Sequence, residues 1–132
     1  MPISFDNILG VHQSALHLQA RRAEVLASNL ANADTPGYKA RDFDFKAALD
    51  QVSQSNGGQP LHATSSKHMQ PDGFFHGAEL KYRQPLQDSL DGNTVEPHIE
   101  IAQYTENSVR YMASLQFVGK KLSGLITALK GE

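Results

Sequence analysis

The chain has 132 residues, a length that suits one ordinary domain. Twelve basic and fourteen acidic side chains give a formal charge of −2, which argues against a nucleic-acid binder, since such proteins carry a basic excess or a basic stripe. Cysteine is absent, which excludes disulfides, thiolate metal sites and thiol nucleophiles. No apolar run is long enough to span a membrane as a helix, and the N-terminus lacks the basic start and apolar stretch of a secretory signal.

Residues 5–33 predict one long helix. No proline interrupts this segment, and its interior is rich in Ala, Leu, Gln, Arg and Glu, which are good helix formers. The predicted helix has a well-marked end, because Thr35 precedes Pro36 and is therefore disfavoured in the helical region. The pair Pro36 and Gly37 then suits a type II turn, in which proline fixes φ and glycine accepts a positive φ.

Residues 94–130 predict a second long helix, with Thr94 as its cap and Pro97 in the first turn, where a missing N–H costs little. At about 1.5 Å per residue each helix is roughly 40–55 Å long, which exceeds the size of a compact domain of this mass. We therefore expect a mainly α fold in which the two helices pair as an antiparallel, coiled-coil-like hairpin.

Residues 38–93 differ in kind, because turn signals rich in proline and glycine recur along them. Phe74-Phe75 and Leu80-Lys81-Tyr82 are candidate short strands of a hairpin, and Ser53–Gln59 is the candidate mobile tip. The expected organisation is a helical core layer from residues 1–37 and 94–132, with a loop-rich, partly β middle segment at 38–93.

The first helix carries two apolar faces. Val11, Leu18 and Val25 recur every seven residues and lie nearly opposite a broader face. That broader face consists of Phe5, Leu9, Leu16, Ala20, Ala23, Ala27 and Leu30. On the second helix, Phe117 and Ile99 lie opposite the main apolar stripe. That stripe consists of Tyr104, Tyr111, Leu115, Val118, Leu122, Leu125, Ile126 and Leu129.

Pairing of the two helices would cover one stripe on each, and the middle segment looks too polar and too broken to cover the others. Single exposed apolar residues are normal on protein surfaces, but strict heptad spacing favours a subunit interface. The predicted subunit-interface residues are Val11, Leu16, Leu18, Val25, Leu26, Leu30, Leu115, Phe117, Val118, Leu122, Ile126 and Leu129.

Two asparagines lie one turn apart just before the end of the first helix, Asn29 and Asn32. Asparagine is a poor helix former because its side chain competes for backbone groups, so the pair indicates a hydrogen-bonding task. Asn32 alone is equally well explained by easing the helix end. For the pair, recognition of a partner is the favoured interpretation.

The sequence offers little that resembles an active site. The six histidines lack metal-ligand spacing, and no nucleophile elbow occurs. Asp42 and Asp44 are interpreted as carboxylates of a solvated strand, and Arg21-Arg22 as part of a solvated helix face. We expect no enzymatic activity, no cofactor and no metal ion.

The stretch Ala27–Lys39, which reads ASNLANADTPGYK, resembles the N-terminal signature of the flagellar axial proteins of the rod, hook and hook-associated structures. Asp91–Val95, which reads DGNTV, is similar to a motif of the proximal-rod members of that family. Other segments similar to family motifs, in the same order along the chain as in the family, are Leu61–Thr64, Lys67–Met69, Glu106-Asn107, Arg110-Tyr111 and Ser123–Leu125. The resemblance thus spans nearly the whole chain.

The resemblance implies a structural subunit of the bacterial flagellar basal body. Such subunits pair their terminal helices around a central export channel and form the proximal rod, a tube that transmits torque to the hook. It implies export through the flagellar type III apparatus without a cleaved signal peptide, and a location in the periplasmic rod. The implied partners are further copies of the chain, the rod proteins FlgC and FlgF, the adapter FliE and the membrane-ring protein FliF. It also implies a structural role for the signature turn, which comprises Asn29, Asn32, Thr35, Pro36, Gly37 and Tyr38.

Two alternatives stay open from the residues alone. The same apolar stripes would also suit a small helical binding or regulatory module that closes as a dimer. A much weaker alternative is an enzyme that uses the middle-segment histidines His62, His68 and His76.

Overall fold

A computed structural model of the chain describes residues 11–55 and 79–131. The fold is mainly α, as predicted. Its elements in chain order are α1 (Val11–Ala31), β1 (Arg41–Asp42), α2 (Phe45–Ser55), β2 (Lys81–Tyr82) and α3 (Pro97–Lys130). The predicted start of the first helix, at residues 5–10, lies outside the described residues.

Helices α1 and α3 pack along each other as an antiparallel hairpin, which confirms the predicted pairing. Near the described start of α1, the rings of His12 and Phe117 lie 6.4 Å apart. Near its end, Asn29 Nδ2 donates to Glu100 Oε2 at 3.2 Å. Because later residues of α1 meet earlier residues of α3, the two helices run in opposite directions.

The turn that ends the first helix has the predicted geometry. Gly37 has φ of +72°, and the N–H of Tyr38 donates to the carbonyl of Thr35 at 3.2 Å. Only glycine adopts this backbone conformation without strain, which accounts for Gly37 at the third position of the turn.

Helix α3 begins later than predicted. Glu96 is the N-cap residue, without a side-chain cap hydrogen bond, and Pro97 opens the helix. Thr94, the predicted cap, instead accepts a hydrogen bond on its Oγ1 from the N–H of Ala40 at 2.8 Å. Its hydroxyl is therefore used to hold the chain that follows α1.

Helix α2 was not predicted, because the turn signals of the middle segment dominated its interpretation. Asp44 caps the helix, since its Oδ1 accepts from the backbone N–H groups of Lys46 and Ala47 at 3.0 and 3.1 Å. Of the predicted mobile tip, Ser53–Ser55 form the end of this helix, while residues 56–59 lie outside the described ranges.

The small apolar core joins α1 to the middle segment. Leu18 is 2% exposed and clusters with the buried side chains of Phe43 and Ala48. Three partly buried side chains pack against this cluster: Phe45, Leu49 and Val52. The expectation that the middle segment is too broken to cover the second face of α1 is therefore wrong at Leu18, because α2 is an amphipathic helix about 16 Å long.

Strand β2 lies within the predicted strand Leu80-Lys81-Tyr82, but its partner is distant in sequence. It pairs antiparallel with β1, so that Arg41 lies opposite Tyr82 and Asp42 lies opposite Lys81. Phe74-Phe75, the partner proposed from the sequence, lies outside the described residues. The pairing brings the chain before α3 back to the end of α1.

We predict that Leu18→Ala lowers the free energy of unfolding of the monomer by about 3 kcal/mol, because it leaves a cavity between α1 and α2. Leu16→Ala is the control, since Leu16 is only half-buried and lies outside the Leu18 cluster. We expect that control to cost about 1 kcal/mol. Urea denaturation followed by far-ultraviolet circular dichroism measures both. Equal losses for the two variants would contradict the packing of α2 over Leu18.

Candidate assembly site

Asn29 ties three elements together from the interior. Its side chain is 1% exposed. Its Nδ2 donates to the carbonyl of Arg41 at 2.7 Å and to Glu100 at 3.2 Å, while its Oδ1 accepts from the N–H of Arg41 at 3.1 Å. The hydrogen bonds of Asn29 thus join α1 to β1 and α3 within the chain.

Asn32 has a more local role. Its Nδ2 donates to the carbonyl of Ser28, four residues earlier, at 2.8 Å, and its Oδ1 accepts from the hydroxyl of Thr35 at 3.2 Å. These contacts are exposed and satisfy groups at the end of α1. They match the simpler interpretation of Asn32, in which it eases the helix end.

The signature turn is fastened to the segment before α3 by Asn93, which is 5% exposed. The two N–H groups of its amide are shared among the carbonyls of Asn32, Ala33 and Thr35, at 3.0, 2.7 and 3.0 Å. Its Oδ1 accepts from the N–H of Val95 at 2.7 Å. The motif at Asp91–Val95 stands out in the sequence, but its residue types do not reveal that Asn93 fastens the turn.

Two backbone hydrogen bonds complete the attachment of the turn. The N–H of Gly37 donates to the carbonyl of Asp91 at 2.9 Å, and the N–H of Thr94 donates to the carbonyl of Tyr38 at 3.0 Å. Tyr38 is half-buried, whereas Thr35, Pro36 and Gly37 are exposed. The segment Asp91–Val95 therefore follows the turn and fixes where α3 begins relative to α1.

Four charged side chains form a second connection between the elements. Asp42 accepts a bidentate pair of bonds from Arg22, at 3.1 and 2.8 Å, and a third from Arg83 at 2.7 Å. Arg83 also pairs with Glu100 at 2.5 Å. Gln103 Oε1 accepts from both arginines, at 3.0 and 2.9 Å. The cluster is electrically balanced and joins α1, β1, the chain after β2, and α3.

Burial and pairing act against each other on the two carboxylates. Burial alone would raise the pKa of Asp42, but hydrogen bonds and charge from Arg22, the N–H of Phe43 and Arg83 together hold it below its ordinary value. Burial is the largest influence on Glu100 and raises its pKa, with hydrogen bonding to Asn29 and the charge of Arg83 opposing it. The hydrogen bond to Asp42 raises the pKa of Arg22.

Two interpretations made from the sequence are therefore corrected. Arg22 is not part of a solvated helix face and Asp42 is not part of a solvated strand, because their side chains are 18% and 16% exposed and pair with each other. Arg21, next to Arg22, is exposed and pairs with Glu24 on the same helix at 2.7 Å. Neighbouring residues of a helix point to different sides, so a basic pair in the sequence does not show that one of its members is buried.

The contact between α1 and α3 is made largely by polar side chains. The backbone carbonyl of Gln19 accepts from Asn107 Nδ2 at 2.8 Å, and the side-chain Nε2 of Gln19 donates to Ser114 Oγ at 3.3 Å. Asn107 and Ser114, together with Glu100 and Gln103, define the side of α3 that meets α1. The main apolar stripe of α3 is centred about 60° away from that side around the helix axis, at about 100° per residue. The expectation that helix pairing covers this stripe is therefore wrong at Tyr104, Tyr111 and Leu115, which lie opposite the described α1 and are exposed.

The hairpin consequently presents an apolar surface to solvent, which we call the open face. Its side chains are exposed or half-exposed, and on α1 they belong to the broader of the two predicted stripes. The open face comprises Leu16, Ala20, Ala23, Ala27 and Leu30 of α1, and Tyr104, Tyr111, Leu115, Leu122, Ile126 and Leu129 of α3. A groove lined by residues of both helices joins the two parts.

The twelve predicted interface residues fall into three groups. Leu18 and Leu26 are covered within the chain, at 2% and 0% exposure, which removes the reason for assigning them to an interface. Four are half-buried: Leu16, Val25, Val118 and Leu122. Six are exposed: Val11, Leu30, Leu115, Phe117, Ile126 and Leu129.

Comparison with known proteins identifies the family. A family model described as flagella basal body rod protein matches residues 9–39. A protein of Aeromonas hydrophila named flagellar basal body rod protein FlgB is 50% identical over 133 residues, covering 100% of this chain and 99% of its own. Proteins of the same name from Salmonella typhimurium and Escherichia coli K12 are 44% and 43% identical over at least 94% of each chain. The chain belongs to the FlgB family of flagellar basal body rod proteins.

The residues matched by the basal body rod family model include the part of the chain that the polar contacts fasten. They run from residue 9, two positions before the described α1, to Lys39, directly after the signature turn. Asn29 and Asn93 hold the end of this segment against β1 and the start of α3. The family pattern therefore covers the α1 side of the joint of the hairpin, by which we mean the end of α1, the signature turn and their contacts with β1 and the start of α3.

Two further observations concern the described ranges 11–55 and 79–131. Their side chains contain no group of three or more His, Asp or Glu placed to hold a metal ion. None of their helices combines the length and the apolar character needed to cross a membrane. His62, His68 and His76, considered from the sequence as catalytic candidates, lie outside these ranges.

We predict that Asn93→Ala lowers the free energy of unfolding by about 2 kcal/mol, because it removes a buried amide whose N–H groups donate to three carbonyls of the turn. Asn32→Ala is the matched control and should cost about 0.5 kcal/mol, since the contacts of Asn32 are exposed. Chemical denaturation of both variants tests this difference. A smaller loss for Asn93→Ala than for Asn32→Ala would rule out the fastening role.

We predict that Asp42→Asn costs about 2 kcal/mol at pH 7, because two arginines lose their shared negative charge. The pKa of Asp42 is lowered in the folded state, so its stabilising contribution is complete above its ordinary value of 3.8 and is lost as the pH falls through the lowered value. The difference in the free energy of unfolding between the wild type and Asp42→Asn should therefore become smaller below about pH 3.8. Denaturation midpoints from pH 7 to pH 2 measure this.

The control for that series is Asp44→Asn, since Asp44 is an exposed N-cap and asparagine caps helices about equally well. We expect its midpoints to follow those of the wild type closely at neutral pH. If the difference in stability between the wild type and Asp42→Asn is the same at pH 7 and at pH 2, then the negative charge of Asp42 is not its stabilising contribution.

Proposed function

We propose that this FlgB-family chain is a self-assembling structural subunit of the proximal rod, and that copies join through the open face into a tube around the flagellar export channel. It acts by forming a drive shaft that transmits torque, and it catalyses no reaction. The observation that carries the proposal is the open face itself, an apolar surface along both helices of the hairpin.

The open face favours association because exposed apolar surface is costly in water. Burial against another subunit recovers about 25 cal/mol for each Å² removed from solvent. On α3 this face includes exposed aliphatic side chains, with Leu129 at 88% and Ile126 at 54% exposure. Extended apolar surfaces of this kind mark sites of protein interaction.

The position of α2 supports a tube over a closed pair. Helix α2 covers Leu18, on the side of α1 nearly opposite Ala20 and Ala27 of the open face. A copy therefore presents two different sides to its neighbours. Contacts between unlike surfaces repeat from copy to copy and give open-ended assemblies unless the rotation happens to close a ring.

The location and partners follow from the family resemblance. We propose that the chain passes through the type III export apparatus without a cleaved signal peptide and reaches the periplasmic part of the rod. Its proposed neighbours are other copies of itself, the rod proteins FlgC and FlgF, the adapter FliE and the membrane-ring protein FliF. The absence of cysteine suits a chain that functions outside the cytoplasm.

We predict that Ile126→Asp blocks self-association and, in a cell, motility, because it places a charge on the open face. Monomer stability should change little, since Ile126 is 54% exposed. Ala113→Asp is the control, because it adds the same charge at an exposed position nearly opposite the open face on α3. Sedimentation velocity over a range of concentrations measures association.

The same experiment separates the rod subunit from a dimeric binding module. Open-ended growth of the wild-type chain supports the rod subunit. A sharp dimer at every concentration supports the module, as would normal motility of the Ile126→Asp strain.

A further inference from the structure

A groove of about 270 Å³ runs between α1 and α3 within the open face. Small side chains of α1, Ala20 and Ala23, line one wall of the groove, and aromatic side chains of α3, Tyr104 and Tyr111, line the other. The complete lining is Gln19, Ala20, Ala23, Tyr104, Asn107, Ser108 and Tyr111. None of these side chains is charged, so an apolar segment can enter the groove without displacing water from an ion.

Gln19, which lines this groove, has an unsatisfied polar atom. The residue is 5% exposed, its Nε2 donates to Ser114, and its backbone carbonyl accepts from Asn107. Its side-chain oxygen, Oε1, is buried and has no hydrogen-bond partner in the described chain. A buried acceptor without a donor is rare in folded proteins and costs free energy, so it indicates that a donor arrives from outside the monomer.

We propose that the groove receives the C-terminal part of α3, residues 115–130, from a second copy, and that a donor on this segment satisfies Gln19 Oε1. This inference rests on the proposed self-assembly and specifies which surfaces meet. The groove is the acceptor surface and the end of α3 is the inserted surface.

The end of α3 has the chemistry that the groove requires. Leu122, Ile126 and Leu129 lie on one side of this segment, and the hydroxyl of Ser123 lies beside Ile126 as a donor. Lys120 and Lys121 point away from that side, and Lys130 lies beyond it in the last turn of α3, so the inserted surface from Leu115 to Leu129 carries no charge. Pairing two uncharged surfaces avoids the desolvation penalty of ions.

Small residues allow the two helices to approach closely. A Cβ built at Gly119 meets nothing within 4 Å, so no packing among the described residues 11–55 and 79–131 requires glycine there. Gly119 and Ser123 are four residues apart and lie on neighbouring turns of the same side. Opposite Ala20 and Ala23, they permit the short distance that a hydrogen bond to Gln19 needs.

The first test replaces Gln19 with methionine, which has a similar length but lacks the amide oxygen. We expect Gln19→Met to raise the concentration needed for self-association about tenfold, because the incoming donor loses its acceptor. Its thermal midpoint as a monomer should change little, since the loss of the hydrogen bond from Nε2 to Ser114 is offset by the removal of a buried unsatisfied oxygen. Gln13→Met is the matched control on α1, outside the groove, and should associate like the wild type.

The second test uses the absence of native cysteine. One preparation carries Ala20→Cys and another carries Ser123→Cys, and the two are mixed and oxidised. We expect a disulfide-linked dimer that contains one chain of each kind. A mixture of Ser28→Cys with Ser123→Cys is the control, because Ser28 is exposed on a different side of α1 and should give far less product.

The outcomes separate this inference from the proposed function. Normal association of Gln19→Met, together with no Ala20–Ser123 cross-link, would overturn the inference while leaving assembly intact. Cross-links between two Ala20→Cys chains would also overturn it, since groove would then face groove. A wild-type chain that remains monomeric at every concentration would overturn both.

Discussion

The polar contact between α1 and α3 determines which surface of this protein remains open. Side chains that hydrogen-bond or carry charge meet at the centre of the hairpin, with Asn29 against Glu100 and Gln19 against Asn107 and Ser114. Such groups keep their partners only at one rotation and one register of the two helices. Because the polar sides of the helices face each other, the apolar stripes turn outward.

The cost of this arrangement explains why the joint of the hairpin contains so many paired groups. Buried ion pairs add little net stability, but losing one partner is strongly destabilising, so they act mainly to select one arrangement. Burial raises the pKa of Glu100, and the hydrogen bond from Asn29 and the charge of Arg83 oppose that increase in pKa. Asp42 accepts bonds from two arginines on separate segments. The cluster thereby fixes the position of β1 and of the chain before α3.

The signature turn and its attachment to Asp91–Val95 also help to hold α1 and α3 in one arrangement. Asn93 shares its amide among the last carbonyls of the α1 region, and Gly37 allows the chain to reverse beneath it. A rod subunit must present its faces at a constant angle so that each copy receives the next. The joint provides that constancy, while the open face and its groove provide the contact that we propose copies make.

The sequence by itself determined the elements whose signals are local. Pro36 and Gly37 determine the end of the first helix, because their backbone preferences act within the turn, and long periodic segments without proline determine the two helices of the hairpin. The family was also readable from the sequence, since the motif at Ala27–Lys39 is contiguous.

Only the tertiary structure decided which way the helices face. Periodicity shows that α1 has two apolar sides, but it does not show which one a neighbour covers. The amphipathic helix α2 covers Leu18, and the partners of Arg22 and Asn93 are distant in sequence. The stripes expected inside the hairpin are therefore exposed, because hydrogen bonds between distant residues, and not hydrophobic periodicity, set the rotation of α3 against α1.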